Sequence, residues 1–359
     1  MPHLPHTPRR RTRAVAQLTL LLTPLLSLTS LALPTTALAH TPVVAPEALR
    51  AVALAKASTA TTGKWAYKLN VGGTGSASSS SDVVGAVDGT TLQLGLLLGG
   101  EAHYTRGSHD WQNTLKLQHA QTRTPVMDAW IKSADNLDLE STYLFRLRAV
   151  PWFGPFARAK LQTQVIRSFD VRPVDTTINY QDNTGKATAT EKVAAETETG
   201  TTGAFEPMLI NFSAGLFANP VEDKTITVKT KAGAGSQHIV ARDGYAVTGY
   251  DKATQTVTLK QIETSSQVGA EVEVEANGAI NSHLAWKAKT RLFYPLYSTA
   301  EQKLSGIDAL NTEIGGTLSI KLAKWASLDY VVTVRRIPLI VDLWQVQHGL
   351  LLTTGFNLL

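Results

Sequence analysis

Charged and amide side chains recur at every second position in several segments of this 359-residue chain. Residues with this spacing lie on one face of a β-strand, because successive side chains of a strand point to opposite faces. Such a face can pair opposite charges or bind a polar solute, and we expect it to line the inside of a closed sheet. The predicted inner-wall residues are Lys116, Gln118, Glu140, Arg146, Arg148, Arg158, Lys160, Gln162, Gln164, Glu271, Glu273, Glu275, Lys287, Lys289 and Arg291.

Two interpretations of this inner face remain open from the sequence. Strips of positive and negative charge could select a small polar solute that passes through a channel. The same side chains could instead pair with one another and fill a narrow lumen. Barrels of about eight strands are filled by side chains and those of about 16–18 strands leave a channel, so a barrel of about twelve falls between them.

Residue types that could catalyse a reaction are present, but they form no recognisable constellation. Ser213 is expected to face inward, yet no histidine is placed beside it to act as a base. Asp138 and Glu140 are also expected to face inward, where neighbouring cations favour ion pairs. The chain has no cysteine and its histidines lack the spacing of metal ligands, so neither a metal site nor a cofactor is expected.

The elements that position the charged residues are strands with one polar and one apolar face, as in the segment that carries Val272 and Val274 between glutamates. We predict twelve strands, at 65–73, 91–105, 110–121, 136–149, 156–169, 207–218, 224–231, 268–277, 282–294, 309–322, 326–336 and 343–358. Long polar links alternate with short ones, which is typical of a transmembrane antiparallel up-and-down β-barrel with external loops and periplasmic turns. A closed barrel satisfies every backbone hydrogen bond in lipid.

The links carry further predictions. Long links are expected at 74–90, 122–135, 170–206, 232–267 and 295–308, and short links at 106–109, 150–155, 219–223, 278–281 and 323–325. Within the external loop 170–206 the stretch 184–202 is predicted to be a solvated loop, and the loop 232–267 is predicted to contain a hairpin around Asp251 and Lys252. Aromatic residues gather at the short links, which predicts a girdle at the membrane interface.

Pairing across two short links predicts a register. Tyr104 falls opposite Trp111 across the link 106–109. Across the link 278–281, Glu273 falls opposite Lys287 and Glu271 opposite Lys289, so that unlike charges meet on one face.

The N-terminal segment predicts export through the Sec pathway. Four arginines between residues 9 and 13, an apolar stretch at 18–33 and Ala37-Leu38-Ala39 together predict a signal peptide over residues 1–39. Residues 40–64 are expected to be a periplasmic lead-in and residues 65–359 the barrel. Without those four arginines the chain has 30 basic and 29 acidic side chains, since the whole chain has 34 and 29. No nucleic-acid partner is therefore expected.

Several short motifs, taken in order, carry a resemblance. They are Trp65 with Gly72-Gly73, Ala102-His103-Tyr104, Trp111-Gln112-Asn113-Thr114-Leu115, Asp135-Asn136-Leu137, Leu161-Gln162-Thr163-Gln164, Phe205-Glu206-Pro207, Gly269-Ala270-Glu271, Leu292-Phe293-Tyr294-Pro295-Leu296-Tyr297 and Ile320-Lys321-Leu322. In this order they resemble an outer-membrane β-barrel family of unknown function, best represented in Bacteroidetes. The resemblance implies a fold and a location but no activity. One departure is the C-terminus, which ends Asn357-Leu358-Leu359, whereas such barrels end on an aromatic residue that the assembly machinery reads.

Four hypotheses about function follow. The first is a narrow channel or transport protein for a small polar solute in the outer membrane of a Gram-negative bacterium, with outer-membrane lipid and the barrel-assembly machinery as partners. The second is a structural or adhesive barrel that acts through its external loops. The third is a barrel enzyme that modifies lipids, and the fourth is a secreted β-sandwich.

Overall fold

The computed structural model describes residues 63–80, 89–223 and 225–357. Within these residues twelve strands form a closed barrel, and each strand runs antiparallel to the two it pairs with. The barrel strands are β1 (Trp65–Ser80), β2 (Gly89–Arg106), β3 (His109–Thr124), β4 (Met127–Phe145), β5 (Phe153–Thr163), β10 (Met208–Glu222), β11 (Ile226–Val240), β14 (Ser265–Ala279), β15 (Leu284–Ser298), β16 (Asn311–Lys321), β17 (Ala326–Ile337) and β18 (Val341–Asn357). Pairing of β1 with β18 closes the sheet.

The predicted fold class is confirmed, because each predicted strand overlaps one barrel strand in the same order along the chain. The strand predicted at 224–231 corresponds to β11, which extends to Val240. The predicted signal peptide (1–39), residues 40–62 of the predicted lead-in, and Leu358 and Leu359 lie outside the described residues. No helix in the described part of the chain is long and apolar enough to cross a bilayer.

The outer face of the barrel is apolar. Along β2, for example, Leu94 and Leu96 are 60% and 56% exposed, whereas Gln93 before them and Leu97 after them are buried. Similar outward side chains occur on most strands: Leu139, Phe212, Leu216, Val272, Val274, Ile314, Leu318, Tyr330, Leu350 and Leu352. Such a continuous apolar exterior is unfavourable in water and favourable against lipid chains. The alternation therefore gives the barrel the apolar exterior that is typical of a transmembrane barrel and a polar interior.

The long link predicted at 122–135 is wrong. Strand β3 continues to Thr124 and β4 starts at Met127, so only Pro125 and Val126 separate them. Antiparallel pairing requires backbone hydrogen bonds but no apolar face. The two strands can therefore continue past the apolar band with polar side chains.

The predicted pairing of Tyr104 with Trp111 is confirmed. The predicted register across 278–281 is wrong, because Glu273 lies opposite Arg291 and Glu275 opposite Lys289. The reason is the position of the turn: β14 continues to Ala279, and four residues then connect it to β15. Because the shift is an even number of residues, the same side chains still share a face.

The two longest connections fold into strands of their own, all at the same end of the barrel. We call this end the loop end and the opposite end the turn end. The additional strands are β6 (Ser168–Asp170), β7 (Thr176–Gln181), β8 (Ala187–Val193), β9 (Thr199–Thr202), β12 (Tyr245–Asp251) and β13 (Thr256–Gln261).

The predicted hairpin around Asp251 is confirmed as β12 and β13. The stretch 184–202, predicted to be a solvated loop, is solvated along β8 but is not a loop there, because β8 pairs with β7, which also runs parallel to β13. The four strands form one sheet in the order β12, β13, β7, β8. Ile178, Val257 and Leu259 are buried together and hold the two connections to each other. Apolar contact between the loops, which parity along one strand cannot reveal, stabilises this loop sheet.

Candidate functional site

A cluster of buried ion pairs crosses the barrel interior. Arg158 on β5 donates one hydrogen bond to Glu273, at 2.5 Å, and another to Glu271, both on β14. Two strands, β10 and β11, lie between β5 and β14 in the barrel wall. The Arg158 side chain therefore reaches its partners through the lumen. All three side chains are at most 3% exposed.

Glu273 is the centre of this arrangement. Besides Arg158, its carboxylate accepts hydrogen bonds from Lys231 at 3.0 Å and lies 3.1 Å from the ammonium nitrogen of Lys289. Glu271 accepts a second charged donor, Arg291, at 2.8 Å. Three cations on one buried carboxylate and two on its neighbour give a compact set of charge-assisted hydrogen bonds.

The electrostatic interactions extend across most of the lumen. Lys289 on β15 interacts electrostatically with Glu140 on β4. These strands are five steps apart in a ring of twelve and therefore nearly face each other. We call the whole set the lumen cluster; it comprises Glu140, Arg158, Lys231, Glu271, Glu273, Lys289 and Arg291. Its four cations and three carboxylates leave one net positive charge at neutral pH.

Further ion pairs lie beside the lumen cluster on the inner wall. Lys160 lies 3.3 Å from Asp138, and Lys287 lies 3.5 Å from Glu275. Glu313 on β16 lies 3.7 Å from Arg291 and joins the cluster to neighbouring strands. Arg335 also lies 3.7 Å from Glu313. With it, the flanking groups comprise three cations and three carboxylates, so the net charge of these ion-paired residues comes from the lumen cluster.

Several buried polar groups of the wall have no partner among the described residues. Both side-chain amide atoms of Gln118 and of Gln237 lack a hydrogen bond, and so does the hydroxyl group of Ser213. A buried polar atom without a partner costs about 1–3 kcal/mol. These groups therefore need water or a polar solute as a partner, which distinguishes the lumen from an apolar core.

An apolar cap covers the lumen at the loop end. It consists of six buried side chains from two barrel strands, three connections and the end of β17: Leu209, Ile239, Ile262, Ala300, Ile337 and Leu339. A cavity of about 240 Å³ adjoins the cap and is lined on its polar side by Asn136, Gln162, Gln164, Arg335 and Gln345. The cap and the lumen cluster are thus two successive barriers along the barrel axis.

Some predicted inner-wall residues lie elsewhere. Arg146 follows the end of β4 and donates a 2.8 Å hydrogen bond to buried Asp110 at the turn end. Arg148 is exposed in the connection to β5, because the strand ends three residues before it. Gln164 follows β5 and donates to the backbone oxygens of Gly203 and Glu206, where it borders the cavity.

The remaining predicted residues lie on the barrel strands. Lys116 and Gln118 are on β3, and Gln162 is on β5, as is Lys160. Glu275 on β14 and Lys287 on β15 form the flanking ion pair described above. Gln162 donates to Asp138 at 3.0 Å.

Sequence reasoning missed Lys231, which pairs with Glu273, and Glu313, which pairs with Arg291. Lys231 was missed because the strand at 224–231 was expected to end there, whereas β11 continues for nine more residues. Glu313 was missed because parity was not carried into the strand predicted at 309–322. Every second residue from Glu313 to Ser319 faces inward or is small, so the alternation that identifies Glu313 as an inner-wall residue was present in the sequence.

A histidine and a carboxylate meet at the turn end without forming a catalytic arrangement. His103 Nε2 lies 2.8 Å from Asp110 Oδ1 and 3.2 Å from the Thr105 hydroxyl. In a nucleophile–base–carboxylate triad the base uses one nitrogen for each partner. Here both partners contact the same nitrogen, so His103 cannot pass a proton between them. Among the described residues, no group of three or more His, Asp or Glu side chains could hold a metal ion.

Comparison with known families gives one partial match. The family model described as "Protein of unknown function (DUF3078)" matches residues 86–169, which include β2 to β5. The match fits the resemblance to a barrel family of unknown function. No curated protein sequence matches this chain.

Solved structures with similar architecture are outer-membrane barrels. The NanC porin is 8% identical, with a TM-score of 0.35, 80% of this chain covered and 98% of that chain. An outer membrane channel from Pseudomonas putida F1 is 9% identical, with a TM-score of 0.36, and the coverage is 83% and 96%. The translocator domain of the autotransporter NalP from Neisseria meningitidis is 9% identical, with a TM-score of 0.34, and the coverage is 86% and 93%. At these identities and TM-scores the likenesses carry no argument about function.

Proposed function

We propose that this protein is an outer-membrane β-barrel that acts as a narrow channel for a small polar solute, with the lumen cluster as its constriction. The observation that carries the proposal is the chemistry of the interior. Charged residues and partnerless amides occupy the cross-section where a purely structural barrel would gain most from apolar packing. A wall of this kind favours water and polar solutes over hydrocarbon.

The exterior supports placement in a membrane. Trp65 at the turn end packs against Tyr104 and Trp111 in tilted geometries, and its ring centroid lies 5.3 Å and 5.4 Å from theirs. Trp130 and Trp344 are exposed near the loop end. Two belts of aromatic residues on either side of an apolar band are typical of bacterial barrels.

The lengths of the connections support an orientation. The turn end has short connections and faces the periplasm, whereas the loop end carries the loop sheet and faces the outside. In this proposal the chain is exported through the Sec pathway, loses residues 1–39 near Ala39, and is inserted by the barrel-assembly machinery of a Gram-negative bacterium.

The charge of the constriction predicts the selectivity of the channel. One net positive charge in a narrow, partly dehydrated section attracts anions and repels cations. Because the lumen cluster and the apolar cap both obstruct the axis, we expect small single-channel currents and long closed periods.

The test is conductance in planar bilayers with the purified full-length mature protein. The wild type is expected to show discrete, weakly anion-selective openings in a salt gradient. Lys289→Glu changes the net charge of the lumen cluster from one positive to one negative and is expected to move the reversal potential toward cation selectivity.

A matched control is Lys252→Glu, the same substitution in an exposed turn of the loop sheet. It is expected to leave selectivity unchanged. Absence of any current at all voltages, in protein that has inserted and shows heat-modifiable gel migration, would refute the channel.

A second function is favoured by the loop sheet. Two loops form one ordered four-stranded sheet, and its edge strand β8 is exposed along nearly its whole length. An exposed edge strand can pair with an extended segment of another protein. If the barrel acts by adhesion, deleting residues 187–193 would abolish cell-surface binding and leave conductance unchanged. If it acts as a channel, Lys289→Glu would change the ion selectivity and leave cell-surface binding unchanged.

A further inference from the structure

Four aromatic side chains form a row on the outer face at the turn end. Trp65, Tyr104, Trp111 and Tyr143 lie on β1 to β4, and each lies directly opposite the next in the pairing of these strands. We call them the aromatic row. Tryptophan and tyrosine side chains of membrane barrels lie where the hydrocarbon meets the lipid head groups. The aromatic row therefore marks the height of the membrane interface on this side of the barrel.

A cavity lies beyond the aromatic row, further from the hydrocarbon. It has a volume of about 780 Å³ and is lined by Tyr104, Arg106, Gly107, Ser108, His109, Phe145 and Arg148. Arg106, His109 and Phe145 each lie two residues from a member of the row on the same strand, so they share its face. At ~3.3 Å per residue on tilted strands, they lie roughly 5 Å further out, at the height of the head groups.

Two short connections bring the arginines to this cavity. Arg106 ends β2 and pairs with the first residue of β3 across a two-residue turn, Gly107 and Ser108. The backbone nitrogen of Arg146 donates a hydrogen bond to the Ser108 carbonyl oxygen at 2.7 Å. Because this bond holds the β4–β5 connection against the β2–β3 turn, Arg148 lines the same cavity as Arg106.

The two arginines carry positive charges that the protein does not compensate. Within residues 63–80, 89–223 and 225–357, neither Arg106 nor Arg148 forms an ion pair or a side-chain hydrogen bond. Both are exposed, and a guanidinium group keeps its proton at neutral pH. Asp110, near the start of β3, is buried and already binds His103 and Arg146. The cavity therefore presents two charged groups whose donors are available to an anion.

We propose that this cavity binds the phosphate of a phospholipid in the leaflet at the turn end. The guanidinium groups of Arg106 and Arg148 suit phosphate oxygens, because guanidinium–phosphate pairs are charge-assisted and often bidentate. His109, whose Nδ1 lies 2.5 Å from the Tyr143 hydroxyl oxygen, forms a wall of the cavity, and its charge is not required. The inference rests on the proposed function only for the assignment of this leaflet to the periplasmic side.

The outer face also provides a path for the acyl chains. Tyr104 and Phe145 form the apolar side of the cavity. On the hydrocarbon side of the aromatic row, Leu115 and Leu139 lie opposite each other on the same face. The acyl chains of the bound lipid follow these leucines into the apolar band. A soluble anion would use the arginines alone, so the aliphatic path favours a lipid.

The experiment compares two probes that share acyl chains and differ in phosphate: dioleoyl phosphatidylglycerol and dioleoylglycerol. Each is titrated into the purified, detergent-solubilised barrel, and bound lipid is counted by native mass spectrometry. The wild type is expected to retain one phosphatidylglycerol per barrel and to bind dioleoylglycerol more weakly. Arg106→Gln combined with Arg148→Gln is expected to weaken phosphatidylglycerol binding by about tenfold or more, as for loss of a charge-assisted hydrogen bond, and to leave dioleoylglycerol unaffected.

The matched control is Arg242→Gln combined with Lys252→Gln, which removes two exposed positive charges from the connection after β11 and from the loop sheet. It is expected to bind phosphatidylglycerol like the wild type. Heat-modifiable migration of each variant shows that the barrel is folded.

Equal binding of phosphatidylglycerol by the wild type and the Arg106/Arg148 variant, or an equal loss in the control, would overturn the proposal. So would binding of a hexaglutamate peptide without binding of phosphatidylglycerol, which would assign the cavity to an acidic protein segment. Conductance is measured on the same samples, so a barrel that binds lipid but carries no current refutes the channel alone.

Discussion

Glu273→Gln removes the charge at the centre of the lumen cluster while preserving the shape of the side chain. The wild-type carboxylate is within 3.1 Å of three cationic groups and is 3% exposed. Glu275→Gln is a matched control, because this residue lies on the same strand and face, is 14% exposed, and is 3.5 Å from its lysine partner.

The structure gives the size of the expected difference. Removing one member of a buried ion pair destabilises a protein by about 3–5 kcal/mol, because the partner keeps a buried, uncompensated charge. The glutamine oxygen still accepts one hydrogen bond, and Arg158 keeps Glu271, so we expect about 2–4 kcal/mol for Glu273→Gln. For Glu275→Gln, where the pair is longer and more exposed, we expect about 1 kcal/mol or less.

The free energy of unfolding is measured by urea titration of the protein in detergent micelles, with tryptophan fluorescence as the readout and the refolding curve as a check of reversibility. Glu273→Gln should lower the midpoint clearly more than Glu275→Gln. If both variants lose the same stability, or if Glu273→Gln loses less, the ion pairs do not brace the lumen and the reasoning fails.

Three other predictions follow from the cap, the barrel wall and the loop sheet. Ile337→Asp places a charge in the apolar cap and should raise the open probability in bilayers; an unchanged current would mean that the cap does not limit conduction. Gly215→Ala should destabilise the barrel by about 1–3 kcal/mol, because the added Cβ would overlap a backbone carbonyl of β11, whereas Gly249→Ala has room and should be neutral in the same urea titration. The pKa of Asp182 lies below its ordinary 3.8 because the carboxylate accepts hydrogen bonds from Thr184 and nearby backbone amides. The stability that Asp182 adds to the β7–β8 turn should therefore be present above the pKa of the unfolded chain and lost as the pH falls through the pKa of the folded protein. An NMR titration giving a pKa above 3.8 would contradict this.

Much of the barrel was predictable because one physical rule, alternation between lipid and lumen, acts along every strand. The strand count and the pairing of Tyr104 with Trp111 depend only on this rule and on short turns. Strand ends were harder to place, as β3 and β4 show, because pairing continues where no apolar face is required.

The partners within the lumen could not be predicted from parity. Parity assigns Arg158 and Glu273 to the inner face, but it gives neither their relative heights nor which strands face each other across the lumen. The height depends on the stagger between strands, and a turn displaced by two residues changed the partner of Glu273 from Lys287 to Arg291. The loop sheet was missed in part for a related reason, since β7 and β13 belong to different loops.

Because β7 and β13 pair in parallel, two stretches that lie far apart in the sequence are expected to vary together. An insertion within either strand would displace its partner in the other loop as well, so sequence changes in these two loops should arise as paired changes. Strand β8 is a different kind of position, because it lies at the edge and is exposed along nearly all of its length. In the proposed orientation, a peptide tag or epitope placed beside it would reach the cell exterior without disturbing the register of the barrel.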